Sequence, residues 1–91
     1  VISVSDIRQL RERAEQMLNQ ARELGIVFDL PRREAELAQL EQRAASPDIW
    51  QDASAAAALH ADISRRKREL EPVQRLLSQA EDLTVLAQLA E

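Results

Sequence analysis

Cysteine and tyrosine are absent from this chain, which holds one glycine, one phenylalanine, one tryptophan and three prolines. Without cysteine there are no disulfides and no thiolate metal ligands, and a reducing cytoplasm is the natural expectation. One glycine cannot build a glycine-rich phosphate loop. No apolar stretch approaches the roughly 18 residues of a membrane span. The opening run from Val1 to Val4 is too short for a signal peptide, and Asp6 and Arg8 follow at once. A start at Val rather than Met reads as a cut or trimmed end. The net charge of −4 argues against an electrostatic nucleic-acid binder acting by itself.

What is present is a helix-forming alphabet. Hydrophobic residues make up 45% of the 91, most of them Ala and Leu, and charged residues 31% with both signs interspersed. β-Branched residues are too sparse for a sheet. A chain of this length makes one domain at most, with a small core.

The spacing predicts helices over about 4–24, 30–45 and 53–90. Ser3 and Asp6 form a capping pair at the first start. Ile7, Leu10, Ala14, Met17, Ala21 and Leu24 then alternate by three and four, as an a/d seam does. Gly25 falls where a left-handed C-terminal residue is wanted. Ile26-Val27-Phe28 reads as a buried connector, Asp29 as the next N-cap, and Pro31 as a first-turn residue. Leu30, Leu37, Leu40 and Ala44 carry the second helix to the stop at Ser46-Pro47. Ser46 is placed to cap the short turn that Pro47 begins. Trp50, too large for a polar connection to bury alone, is expected to fold back over the neighbouring helices and pin the corner.

Asp52 is the expected cap of the third helix, which runs through the Ala55–Ala58 stretch, Leu59, Ile63, Leu70, Val73, Leu77, Ala80, Leu83, Leu86, Ala87 and Ala90. Arg66 sits in the core phase and weakens the seam. Pro72 removes the backbone bond to the Arg68 carbonyl, so a kink near Arg68–Pro72 is expected, with two separate helices as the alternative. A continuous third helix would extend roughly 58 Å at about 1.5 Å per residue. Its C-terminal half would then lack a partner in this chain and invite self-association through Val73, Leu76, Leu77, Leu83 and Leu86. The expected fold is all-α: a single domain over 1–91, an antiparallel helical bundle or hairpin of three helices with a long, kinked third helix.

No constellation for chemistry is legible, and no catalytic, cofactor or metal site is expected. His60 is the only histidine and reads as an edge or surface residue. Glu34, Glu41, Glu69 and Glu71 read as solvated helix faces, and Ser46, Ser54, Ser64 and Ser78 have no local His or Lys to activate a hydroxyl. Arg65-Arg66-Lys67-Arg68 sweeps about 300° around a helix and cannot form one flat phosphate-binding face. It reads as a solvated ring beside Asp62, Glu69 and Glu71, with a minor contact to ribosomal RNA as the alternative. Arg32-Arg33 is similarly ambiguous, since cations near a helix N-terminus do not stabilise it.

Taken in order, Phe28-Asp29, Leu37-x-x-Leu40-Glu41, Pro47-Asp48-Ile49-Trp50 with Asp52, Leu70-Glu71-Pro72 and Glu81-Asp82-Leu83 form a recognisable succession. It resembles the N-terminal helical domain of bacterial peptide chain release factor 2, most firmly from Phe28 to Leu89. The Phe-Asp pair and the Pro-Asp-x-Trp corner are its most specific parts, and the sister release factor 1 lacks that corner. The resemblance implies a cytoplasmic protein that directs termination at UGA and UAA codons on the ribosome. It implies a domain that reaches the stalk base of the large subunit, with its ribosomal protein and RNA, near the class II release factor GTPase. The family's Gly-Gly-Gln and Ser-Pro-Phe tripeptides do not occur here, so no catalytic or decoding residue carries over. The resemblance further implies that the chain stops before the last helix of that domain. The competing reading is a stand-alone helical coiled-coil adaptor or oligomerisation module, which periodicity supports equally well. A basic-helix RNA binder is disfavoured by the net charge.

Overall fold

Ser3 and Asp6 start the first helix by satisfying each other's backbone. The Asp6 amide donates to Ser3 Oγ and the Ser3 amide donates to Asp6 Oδ2, both at 3.1 Å. From there a computed structural model, which describes residues 2–91, has three helices: α1 (Val4–Phe28), α2 (Leu30–Ala45) and α3 (Ala53–Leu89), with a 3-10 turn at Pro47–Gln51 before α3. No strand occurs among the described residues. Val1, the first residue of the opening apolar run, lies outside them.

α1 runs past its expected end. Gly25 is helical and buried in the packed face, and Ile26-Val27-Phe28 form a last helical turn, with Ile26 and Val27 exposed rather than a buried connector. The left-handed residue is Asp29, at φ 60° and ψ 49°. Aspartate tolerates this conformation better than most residues, so one residue suffices to separate α1 from α2. Its side chain does not cap α2; its Oδ2 instead accepts from Arg32 Nε at 2.6 Å. Pro31 lies in the first turn of α2, where a missing N–H costs nothing.

α2 ends where Ser46 turns extended ahead of Pro47, as the residue before a proline must. The Ser46 hydroxyl makes no cap bond; its carbonyl accepts from the Ile49 amide at 3.3 Å instead. Asp52 does cap α3, its Oδ1 accepting from the Ala55 amide at 3.1 Å. α3 continues unbroken through Pro72, so it is one helix and not two.

The chain divides into two compact units, one of α1 with Val73–Glu91 and one of Asp29–Pro72. The divisions fall at the left-handed Asp29 and beside Pro72, whose ring cannot donate a helical bond. The C-terminal half of α3 therefore has a partner, contrary to expectation.

In the first unit α1 and the end of α3 run antiparallel. The Thr84 hydroxyl reaches the Ala14 carbonyl at 3.4 Å and its own helix at the Ala80 carbonyl at 2.9 Å. Leu18, Ala21 and Ala80 form the core with Leu77 packed against them, and Arg11 pairs with Glu91 at 2.6 Å. The buried face of α1 is thus Ala14, Leu18, Ala21 and Gly25. Ala14 and Ala21 belong to the expected seam, but Leu18 is 9% exposed and Met17 48%. Small residues prevail on both sides, which permits close helix approach.

In the second unit Leu30, Ala56, Leu59, Ile63 and Leu70 are buried, with Leu37, Leu40 and Ala44 of α2 half-buried over them. Leu70, at 2%, is the largest enclosed side chain of the described residues.

Candidate interaction surfaces

Among the described residues no group of three or more His, Cys, Asp or Glu side chains could hold a metal ion. No helix of the described residues is long and apolar enough to cross a membrane. The hollows are shallow: one of about 290 Å³ is lined by Val4, Ile7, Arg8, Arg11, Ala90 and Glu91, and one of about 260 Å³ by Arg43, Ser46, Asp48 and Ile49. What the molecule offers to chemistry is surface.

The first surface is charged and lies along α2 and α3. Arg66 Nη1 bonds Glu36 at 3.0 Å, Arg33 lies 3.9 Å from Glu69, and Lys67 lies 3.7 Å from Glu41. Within α3 Asp62 accepts from both Arg65 and Arg66. The bond from Arg65 holds the Asp62 carboxyl below the usual aspartate range; desolvation opposes it, and the bond and charge of Arg66 add to the lowering. The bond to Asp62, and then that to Glu36, push the Arg66 guanidinium further up. Arg66 does interrupt the apolar seam, as its phase suggested, but the interruption is filled by a cross-helix ion pair. Of the Arg65–Arg68 run, the first three are engaged with carboxylates. Arg32 likewise holds Asp29 and approaches Glu36 at 3.8 Å. Asp62, named above beside the basic run, and Glu36, which was not named, are the hubs. Asp62 was legible from its spacing of three and four to Arg65 and Arg66; the spacing of Glu36 from Arg32 is legible too, but its closer pair with Arg66 is not, because that partner lies on another helix.

The second surface is aromatic. Trp50 does not pin the corner from inside: it is 60% exposed. Its ring meets the His60 imidazole at 5.3 Å between centroids, tilted by 43°. The cause lies in the first turns of α3, where Ala53–Ala58 with Ser54 offers no side chain long enough to enclose an indole. His60 is a surface residue, as expected, but it is not isolated.

The third surface is apolar and belongs to the α1 unit. Leu10, Met17 and Leu24 form an exposed lane at heptad spacing on α1, and Leu76 and Leu86 are exposed on α3. Leu10, Met17 and Leu24 are rotated from the α1 seam by the same sense as Leu76, Leu83 and Leu86 from the α3 seam. In an antiparallel pair equal rotations fall on one flank, so the two lanes line the same side. Val73 and Leu77, expected to be free for self-association, are half-buried, and Leu77 packs against the core.

No family model matches the chain, and no solved structure matches it. Its sequence is similar to peptide chain release factor 2 of Treponema pallidum, 41% identical over 69 residues, which is 76% of this chain and 19% of the relative. The corresponding protein of Saccharopolyspora erythraea is 38% identical over 65 residues, covering 71% of this chain and 18% of the relative. That of Thermomicrobium roseum is 33% identical over 76 residues, 84% of this chain and 20% of the relative. The chain spans about a fifth of the length of these curated relatives.

Proposed function

We propose that this release factor 2-like chain serves translation termination as a docking and positioning module. The single observation that carries the reading is the likeness to release factor 2 over 71% to 84% of the chain. A second supports the division of labour: with one glycine, and no Ser-Pro-Phe, the sequence cannot supply the family's reacting or decoding tripeptides. In this reading residues 1–91 act as one helical domain of a cytoplasmic factor that directs termination at UGA and UAA codons. The domain reaches the stalk base of the large subunit, its ribosomal protein and RNA, in functional contact with the class II release factor GTPase. Its surface ion pairs and exposed rings make weak contacts that become useful once the rest of the factor anchors the complex.

Reading the parent frame beyond Glu91 tests this directly. A downstream Ser-Pro-Phe followed by Gly-Gly-Gln is expected, and a stop codon shortly after Glu91 would overturn it. Sedimentation with ribosomes tests the division of labour, which fails if the isolated chain binds as tightly as the full-length factor.

The exposed lanes Leu10, Met17, Leu24 and Leu76, Leu86 favour one competing reading, a helical coiled-coil adaptor that self-associates through the end of α3. Light scattering at high concentration decides: a monomeric mass removes self-association, and a dimer lost on Leu76→Glu supports it.

A further inference from the structure

We infer that the Trp50–His60 corner is a docking surface for an arginine-bearing segment of a protein partner. The inference rests on the docking reading above and names the partner chemistry at one place on it. An indole 60% exposed is an unusual expense for a chain with one other aromatic residue, and Trp is the residue most enriched at the energetic centres of interfaces. His60 meets the ring at 5.3 Å between centroids, and the indole nevertheless stays 60% exposed.

Charge decides what fits. From Ser46 to Ala61 there is no Lys or Arg, and the charged side chains are Asp48 and Asp52. They stand on either side of Trp50 along the turn. Asp52 Oδ1 is committed to the Ala55 amide, while Asp48 makes no ion pair among the described residues. Arg43 lines the same shallow hollow as Ser46, Asp48 and Ile49, without an ion pair to Asp48. An exposed indole beside the Asp48 carboxylate suits a guanidinium, which stacks on an aromatic ring and donates to a carboxylate at once. It does not suit a phosphate backbone, which the two aspartates repel.

The experiment titrates the 91-residue chain with a short Arg–Gly repeat peptide and follows fluorescence, which reports this corner alone because Trp50 is the only tryptophan. A saturable change is expected with the Arg peptide and none with its Glu–Gly counterpart or with oligouridylate RNA. Asp48→Asn is expected to weaken binding several-fold. Trp50→Ala, followed by calorimetry, should weaken it roughly tenfold. Circular dichroism confirms that both variants fold. Binding that survives Trp50→Ala unchanged, or RNA that saturates the signal where the peptide does not, would overturn the inference. If the peptide fails while the chain still displaces full-length factor from ribosomes, this surface is wrong and the docking reading stands. If both fail, both fall.

Discussion

Trp50 and His60 meet at 5.3 Å between ring centroids, tilted by 43°, where the 3-10 turn hands over to α3. The contact orients an indole that remains 60% exposed. Full burial would make Trp50→Ala cost about 3–5 kcal/mol. Here the loss should be about 1 kcal/mol, an aromatic pair and a partial burial. Urea unfolding of the wild type and variant checks it, and a loss above 3 kcal/mol would place the ring inside.

The seam of α1 is fixed by which of two adjacent residues faces α3. Leu18→Ala should cost about 2–4 kcal/mol, since it empties the core beside Ala21 and Ala80. Met17→Ala, on the exposed lane, should cost less than about 1 kcal/mol. Equal losses at both positions in denaturant titrations would mean that the flank carrying Met17 is covered.

This pair also marks how far the sequence could be read. Ile7, Leu10, Ala14, Met17, Ala21 and Leu24 obey three-and-four spacing, but so do Ala14, Leu18, Ala21 and Gly25. The second set wins because alanine and glycine let two backbones approach, and periodicity counts apolar size rather than closeness. The helices, their caps at Ser3 and Asp52 and the stop at Ser46-Pro47 were all legible, because they depend on neighbours in sequence. The exposure of Trp50 and the pairing of Arg66 with Glu36 were not. Both depend on what a different helix presents, and no local signal states that an alanine-rich turn is too shallow for an indole.

Asp29 holds a left-handed backbone that a β-branched residue cannot adopt without strain. Asp29→Val should cost about 1–2 kcal/mol. Asp29→Gly should be nearly neutral, because relief of strain offsets the lost Arg32 pair and the freer unfolded chain. Thermal melts distinguish these outcomes, and a neutral Asp29→Val would mean that the break between α1 and α2 lies elsewhere.

The Arg66–Glu36 pair joins α2 to α3 at 3.0 Å while both side chains keep contact with solvent. A double-mutant cycle with Arg66→Met and Glu36→Gln should give a coupling of about 0.5–1 kcal/mol, shrinking in high salt. A coupling that salt leaves unchanged would show that the pair is sealed from water.

Two carboxyls, Asp6 and Asp62, are held below the ordinary aspartate range. Bonds from the Ser3 backbone and side chain depress Asp6, and the bond from Arg65 leads those that depress Asp62. A carboxyl depressed in the folded state contributes stability that is complete above its ordinary value of 3.8 and is lost as pH falls through the lower folded-state value. Acid should therefore loosen the start of α1 and the middle of α3 only below that value. Carbon-detected titration of the two carboxyls checks the direction. Asp6→Asn should remove the acid-dependent loss of amide protection near Ser3 without altering the response around Asp62, because each lies in a separate unit. A loss of protection at Ser3 that begins above 3.8 in the wild type would reverse the sign and exclude a capping carboxylate at Asp6.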